Sequence, residues 1–221
     1  MTTFALIGAG PGLGLSTARR FGAAGHSVAL IARNAQRLDG LTAELAGEGI
    51  EARGFAADVL DIESLTAALY AAAAALGPIE ILQYSPVPRA DFMKAVLDTS
   101  ADDLDAPLAF SVKGAVTAVN AVLPGMRELG RGTLLFVNGS SAVRPNPNVA
   151  GTSIAFAAES AYAHMLHGTL APQNIHVAQL IIPGAIRPDA EHSSPDALAQ
   201  RLYAIHRERD AFRHYAEPLP D

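Results

Sequence analysis

Short apolar segments alternate with longer amphipathic segments along almost the whole chain. The apolar runs occupy residues 3–7, 28–32, 52–56, 79–84, 133–138, 175–182 and, weakly, 211–215. Helical patterns lie between them, near 13–24, 34–47, 61–76, 101–129, 152–171 and 195–208. Strands that alternate with helices at this spacing form right-handed βαβ units. The pattern therefore predicts a parallel sheet covered by helices on both faces.

Neither a linker nor an internal repeat interrupts this alternation. Half of the residues are hydrophobic and 17% are charged, which is enough apolar material for one core. We expect a single domain over residues 1–221 with an α/β fold, a doubly wound parallel sheet of about seven strands in three α/β/α layers. The loops at 85–100 and 185–196 are rich in Pro, Asp and Ser and are expected to frame a substrate pocket.

The charge pattern argues against two classes of partner. The net charge is −6 and the only lysines are Lys94 and Lys113, so we expect no nucleic-acid surface. No apolar run approaches the ~18 residues of a membrane span, and the first residues do not resemble a leader sequence. We expect a cytoplasmic protein that binds no membrane. Without cysteine, it has neither disulfides nor a catalytic thiol.

A glycine-rich loop follows the first predicted strand. Gly8, Gly12 and Gly14 lie in "IGAGPGLG", directly before the first helix. Glycines let a backbone approach a pyrophosphate, whose charge is then met by free N–H groups at the start of the helix. Within a βαβ unit the pattern predicts dinucleotide binding, and the alternative is a tight turn without a ligand.

Two residues at the ends of the next strands refine that prediction. Arg33 closes the second strand, where an acidic residue would accept from the ribose of NAD. A guanidinium suits a 2′-phosphate, so NADP(H) is favoured over NAD(H), unless Arg33 is simply a solvated arginine. Asp58 closes the third strand and either accepts from the adenine amino group or caps the helix that begins near Asp61.

In these features the chain resembles the short-chain dehydrogenase/reductase family over nearly its whole length. The resemblance rests on the spacing of Gly8, Gly12 and Gly14, on "ADV" around Asp58, and on "GTLLFVNGSS" and "IHVAQLIIPGAI" at 132–141 and 175–186. It implies a Rossmann-type sheet, a nicotinamide cofactor, and hydride transfer to or from a carbonyl or alcohol.

The resemblance also implies a catalytic Tyr and Lys in the pattern Y-x-x-x-K, a Ser, and a helix Asn. Ser141 matches the Ser, although it is also suited to cap a turn. The helix "FAAESAYAHMLHGTLA" places Phe156 at the tyrosine and Ser160 at the lysine, and Ser111 stands where the helix Asn would be. A phenylalanine donates no proton and a serine carries no positive charge, so the site departs from the family at three of four positions.

Several residues are candidate substitutes for the missing acid. Tyr84 ends the fourth strand, at the edge where ligands bind in such sheets, and its ring is otherwise expected to line the pocket. Tyr162 and His164 point away from Phe156 on a helix and are expected to be buried between helices. Arg144 is either a partner for an anionic substrate or a solvated loop residue.

The remaining expectations follow from the same resemblance. Further positions that would contact the cofactor are Leu13, Asn34, Val59, Ser85, Pro86, Pro183, Gly184 and Ile186. The helices at 101–129 and 152–171 are expected to pack against another subunit, giving a homodimer or homotetramer. His206 and His214 lack the spacing of a metal pair, so no metal is assigned.

The sequence thus predicts an atypical NADP(H)-binding oxidoreductase that acts on an unknown small molecule, a carbonyl compound or an alcohol. The alternative is a protein without catalytic activity that binds NADP(H) as a sensor or scaffold. A retained glycine loop together with a lost Tyr and Lys fits both readings.

Overall fold

The computed structural model describes residues 2–219, so residue 1 and residues 220–221, the ends of the predicted domain, lie outside the described residues. Within them one sheet has the strand order β3-β2-β1-β4-β5-β6-β7, and every neighbouring pair is parallel. The strands are β1 (Thr3–Ile7), β2 (Ser27–Ala32), β3 (Ala52–Ala56), β4 (Ile79–Tyr84), β5 (Gly132–Gly139), β6 (Ile175–Ile182) and β7 (Arg213–Tyr215). The predicted doubly wound sheet is confirmed, including its weakly predicted last strand.

Helices connect the strands at the predicted places. They are α1 (Leu13–Gly22), α2 (Ala35–Gly47), α3 (Ile62–Leu76), α4 (Asp105–Leu108), α5 (Gly114–Leu129), α6 (Ala150–Leu170) and α7 (Pro195–Glu208). Polar side chains fix three of the starts: Asn34, Asp61 and Ser194 each accept a hydrogen bond from a backbone N–H in the first turn of α2, α3 and α7.

Each face of the sheet has its own hydrophobic core. On one face α3, α5 and α6 cover residues such as Ile7, Leu82 and Val177. On the other face α1, α2 and α7 cover residues such as Leu6 and Leu180. Successive side chains of a strand point to opposite faces, so β1 and β6 serve both cores with alternate residues. The result is the predicted three-layer α/β/α arrangement.

The predicted helix over 101–129 is helical throughout most of its length but not regular. A 3₁₀ turn (Asp102–Leu104) precedes α4, and a π-helical segment (Ala109–Lys113) joins α4 to α5. The stretch Asp102–Leu129 is long and apolar enough to cross a membrane by length and composition alone. One side of it packs on the sheet through Ala115, Ala118 and Val122, and core helices of soluble proteins also meet this criterion.

The strand order places a crevice at one edge of the sheet. The chain runs outward from β1 to β2 and β3, and then returns to place β4 on the other side of β1. The loops that follow β1 and β4 consequently diverge at the carboxyl ends of these strands. Ligands of doubly wound sheets bind at such a point.

Candidate functional site

A cleft of about 1300 Å³ lies at this carboxyl edge. Loops after β1, β2 and β3 line one end, and segments after β4, β5 and β6 line the other. We call these the adenosine end and the substrate end, because the resemblance assigns those parts of a dinucleotide and its substrate to them. Among residues 2–219 the charged residues that line the cleft are Arg33, Arg37 and Asp58.

The glycine loop forms the floor between the two ends. Gly8 has φ +95°, and a Cβ there would lie 2.5 Å from the backbone oxygen of Ser85, so only glycine fits between the β1 and β4 loops. A Cβ at Gly12 would meet no protein atom within 4 Å, which leaves that space open to a ligand. Leu13 and Gly14 begin α1 and also line the cleft. The first N–H groups of a helix have no partner within it, so this end of α1 suits an anion.

Two guanidinium groups stand at the adenosine end. Arg33 and Arg37 are exposed, line the cleft, and have side chains that form no hydrogen bond or ion pair with residues 2–219. Asn34 lies between them and uses its side chain to accept from the backbone N–H of Arg37, at 2.9 Å. This bond holds the start of α2 so that both arginines face the same cleft.

Asp58 and Val59 follow β3 and line the same end. The carboxylate of Asp58 accepts from the backbone N–H of Leu60 at 3.0 Å, whereas the cap of α3 is Asp61, which accepts from Ser64. The helix-cap alternative for Asp58 is therefore wrong, and its second carboxylate oxygen is available to a ligand.

At the substrate end, Ser141 and Phe156 both line the cleft. Ser141 lies in a short helical turn after β5 (Ser140–Ala142) and is half-buried. The ring of Phe156 is 7% exposed and packs against Ala142 and Ile181 while lining the cleft. The residue at the expected tyrosine position thus lines the same cleft as the expected serine, but it presents a hydrocarbon ring without a proton to give.

Ser160, at the expected lysine position, does not line the cleft. Its hydroxyl donates to Gln179 Oε1 at 2.9 Å and accepts from Arg213 Nη2 at 3.0 Å. Gln179 in turn donates to Asn138 Oδ1 at 2.8 Å, and Asn138 Nδ2 donates to Glu159 Oε1 at 3.0 Å. We call these five residues the buried polar network.

Glu159 is the acidic member of the buried polar network. It is 1% exposed, and burial raises the pKa of its carboxyl to about 8, against which the hydrogen bond from Asn138 acts only in part. The carboxyl is therefore neutral at pH 7. Sequence reasoning missed this network, although a Glu within a mostly apolar helix and polar residues within two buried strands were visible signals.

Tyr84 does not serve the cleft, which corrects the expectation that it lines the pocket or acts as the acid. The ring is 2% exposed and its hydroxyl donates to the backbone oxygen of Phe110 in the π-helical segment. A Cβ at Gly114 would collide with this hydroxyl, so Gly114 makes room for it. Burial, with Glu159 and Asp58 nearby, raises the pKa of Tyr84 well above its usual value. Tyr84 is a structural residue.

The other expected positions divide between the cleft and the interior. Ser85, Pro86, Gly184 and Ile186 line the cleft, whereas Ser111 is buried in the π-helical segment and, like Pro183, is not part of the lining. The roles that the resemblance implies for Ser111 and Pro183 stay predictions. Arg37 and Thr152, which were not predicted, do line the cleft.

The weaker candidates lie elsewhere. Neither Tyr162 nor His164 lines the cleft. Tyr162 packs on the core beneath α6, whereas His164 is exposed rather than buried between helices, and its ring stacks on Phe212 with centroids 4.6 Å apart. Arg144 is not part of the lining either. His206 pairs with Thr133, and His214 contacts the backbone oxygen of Ala211. Within residues 2–219, no group of three or more metal-binding side chains is assembled.

Comparisons with known proteins cover most of the chain. Residues 2–199 match the family model for short chain dehydrogenase. Dehydrogenase/reductase SDR family member 4 from Sus scrofa is 30% identical over 176 residues, which cover 80% of this chain and 62% of that protein. The chain spans less than two thirds of the length of the first curated relatives that it matches.

Two solved structures share the fold. A short-chain dehydrogenase from Rhodopseudomonas palustris superposes with a TM-score of 0.86 and 25% identity over 98% of both chains. A metagenomic short-chain oxidoreductase in complex with NADP superposes with a TM-score of 0.80 and 22% identity, over 99% of this chain and 96% of that one. The matched region includes every strand from β1 to β6 and every loop that lines the cleft.

Proposed function

The chain belongs to the short-chain dehydrogenase/reductase family, and on that basis we propose that it binds NADP(H) in the cleft and acts as an oxidoreductase on a small carbonyl compound or alcohol. The family is one of oxidoreductases with a Rossmann-type nucleotide-binding fold. The choice of NADP(H), the turnover and the residues involved are our proposal.

One observation carries the choice of cofactor. The guanidinium groups of Arg33 and Arg37 stand at the adenosine end and are unpaired within residues 2–219, and no acidic side chain replaces them at the end of β2. Guanidinium groups bind phosphate with paired hydrogen bonds, so both suit a 2′-phosphate. The open space at Gly12 and the free N–H groups of α1 suit the pyrophosphate. The residues present therefore fit the cofactor that the fold implies.

At the substrate end, the chain offers hydroxyl groups in place of a titratable acid. A nicotinamide bound there supplies or accepts the hydride. The hydroxyl of Ser141 would donate a hydrogen bond to the substrate oxygen and hold it in place. Among residues 2–219 no Tyr, Lys or His lines the cleft, so we propose that water supplies the proton. General acid catalysis contributes about 10²–10⁴-fold, so turnover is expected to be slow.

The lack of a Tyr, Lys or His in the described lining of the cleft also favours a second candidate function. A cleft that keeps its cofactor end and has no Tyr, Lys or His in its lining among residues 2–219 also suits a protein without catalytic activity that binds NADP(H) as a sensor or scaffold. The two candidates share the binding step and differ only in turnover.

Assembly and location complete the proposal. α6 exposes Ile154 and Met165, with 44% and 66% of their surface accessible, on the helix predicted to meet another subunit. Apolar side chains exposed in this way suit an interface between copies of the chain. We propose a cytoplasmic homodimer or homotetramer that has no nucleic-acid or membrane partner.

NADPH oxidation with a panel of small ketones and aldehydes tests the proposal. The wild type is expected to be slow, Ser141→Ala slower by about tenfold, and Phe156→Tyr faster by about tenfold or more. Phe156→Leu is the control, because it replaces the ring by another apolar side chain without adding a hydroxyl. NADPH that binds without any oxidation by the wild type would instead support the sensor or scaffold.

A further inference from the structure

The two ends of the cleft differ sharply in polarity. All three charged residues of the lining belong to the adenosine end, since Arg33, Arg37 and Asp58 follow β2 and β3. The substrate end is built from segments after β4, β5 and β6 and has no charged side chain among residues 2–219. Its lining is instead dominated by apolar residues: Val87, Pro88, Met93, Phe110, Val149, Phe156, Ile186 and Pro188.

Few polar groups remain for a ligand at the substrate end. The side-chain amide of Asn138 is engaged on both sides within the buried polar network, as donor to Glu159 and as acceptor from Gln179. The hydroxyl of Ser141 forms no hydrogen bond with the buried polar network. The hydroxyl of Thr152, one turn before Phe156 on α6, is buried and has no hydrogen-bond partner within residues 2–219. The substrate end thus offers a ligand few side-chain hydrogen bonds.

The apolar lining residues named above form what we call the apolar wall, and backbone hydrogen bonds hold it in place. The N–H of Val96 donates to the oxygen of Pro147 at 2.8 Å, and the N–H of Ala150 donates to the oxygen of Lys94 at 2.8 Å. These bonds tie the loop after β4 to the start of α6. Behind the wall the ring of Phe92 is 4% exposed and meets the ring of Phe110 edge-on, with centroids 5.5 Å apart.

Charged side chains on the same loop are paired with each other outside the cleft. Arg89 and Asp91 form an ion pair at 2.8 Å, and Lys94 and Asp103 form another at 2.6 Å. None of the four lines the cleft, and neither do Arg144 and Arg187. A ligand at the substrate end would therefore find no counter-ion in the lining.

We propose that the substrate end binds an uncharged, largely apolar carbonyl compound or the corresponding alcohol, and discriminates against carboxylates and polyols. Removing a carboxylate from water without a partner weakens its binding, and each unpaired hydroxyl of a polyol carries a smaller penalty of the same kind. The inference rests on the proposed function, because it assigns the substrate class of the same cleft.

A matched pair of probes tests the inference by binding alone. 4-Methylacetophenone and 4-acetylbenzoate differ only in a methyl group against a carboxylate, and D-sorbitol represents the polyols. Dissociation constants would be measured by calorimetry on the full chain saturated with NADP⁺. The ketone is expected to bind about tenfold tighter than 4-acetylbenzoate or more, and also tighter than D-sorbitol.

Two variants of one loop locate the effect. Met93 lines the cleft and Leu97 does not, and both are exposed, at 47% and 95%, so a lysine at either position is compatible with folding. Met93→Lys is expected to tighten binding of 4-acetylbenzoate about tenfold and weaken binding of the ketone. Leu97→Lys is expected to leave the ratio of the two constants within twofold, because solvent screens a distant surface charge.

The outcomes separate the inference from the proposed function. If NADPH binds and the wild type binds 4-acetylbenzoate or D-sorbitol as tightly as the ketone, or binds none of the three, the inference is wrong. Equal effects of Met93→Lys and Leu97→Lys would also overturn it. If NADPH itself does not bind, the proposed function fails first, and the measurement of cofactor affinity reports this independently of the probes.

Discussion

The polar side chains at the two ends of the cleft differ in whether they have hydrogen-bond partners within the protein. At the adenosine end the guanidinium groups of Arg33 and Arg37 are exposed and unpaired within the described part of the chain. Around the substrate end, Ser160 and Glu159 turn away from the cleft and bond within the buried polar network, and Tyr84 bonds to the backbone.

The two ends differ in whether each polar group already has a partner. A polar group left without a partner at the rim of a cleft is available to a ligand, whereas a buried group that already has its partners supports the fold. The adenosine end therefore keeps the means to bind a cofactor. The substrate end keeps only hydroxyl groups and an apolar wall.

Glu159→Gln is expected to have the largest effect, on stability. Burial raises the pKa of Glu159 from 4.5 to about 8, so the folded carboxyl holds its proton where the unfolded one has lost it. The folded state then binds more protons than the unfolded state, and the wild type loses stability as pH rises from about 4.5 to 8. Glutamine stays neutral and still accepts from Asn138, so the variant should be several kcal/mol more stable at pH 8 than the wild type.

Urea unfolding at pH 5 and pH 8 measures this effect. The difference between variant and wild type should be small at the lower pH and large at the higher one. Glu208→Gln, an exposed position on α7, serves as the control and should follow the wild type. The same pH dependence in all three proteins would mean that Glu159 is ionised when folded and that the network does not hold its proton.

Gly12→Ala is expected to separate the cofactor end from the fold. The added methyl group meets no protein atom within 4 Å but fills the space left for the phosphates. NADPH affinity should fall on the order of 100-fold, or about 2.7 kcal/mol, while the thermal midpoint stays nearly constant. Gly125→Ala on α5 is the control, because its Cβ also meets open space, away from the cleft. Unchanged NADPH affinity in Gly12→Ala would contradict this role of the loop.

Arg33→Ala is expected to change the preference between cofactors. Losing a charge-assisted bond to the 2′-phosphate should weaken NADPH about tenfold or more and leave NADH within twofold. Competitive titration of both nucleotides measures it, with Arg201→Ala on the exposed face of α7 as control. A parallel loss of both affinities would refute the 2′-phosphate assignment.

Tyr84→Phe is expected to have the smallest effect, and only on stability. Removing the hydroxyl of Tyr84 loses its hydrogen bond to the backbone oxygen of Phe110, at a cost of about 1 kcal/mol in the free energy of unfolding. NADPH affinity and any carbonyl reduction should stay unchanged. Tyr70→Phe, at an exposed position, is the control. Lost reduction with unchanged stability would return Tyr84 to the catalytic site.

Much of the fold could be predicted because the spacing of the apolar residues and the residues that end each segment indicate the same helices and strands. The predicted helix over 195–208 and strand over 175–182 coincide with α7 and β6. The irregularity of the helix over 102–129 could not be predicted, because its π-helical segment contacts a distant residue. The hydroxyl of Tyr84 donates a hydrogen bond to the backbone oxygen of Phe110 in that segment. That contact joins residues far apart in sequence, which no local pattern reports.

Residues of the site could be predicted where their position at the end of a strand alone brings them to the cleft. They could not be predicted where the direction of the side chain decides whether they reach it. Arg33, Asp58 and Ser141 reach the cleft because each follows a strand at its carboxyl edge. Tyr84 also ends a strand, but it shares a face with Leu82 and so points into the core beneath α5. Arg37 was missed, although it lies four residues after Arg33, near the start of α2.

Calorimetry of NADPH and NADH on the purified protein, freed of bound nucleotide, decides whether the adenosine end binds the phosphorylated cofactor. The contrast between the two ends of the cleft predicts that NADPH binds clearly tighter than NADH, whatever the rate of turnover. Binding of neither nucleotide would contradict it, because the open space at Gly12 and the unpaired arginines would then serve another ligand or none.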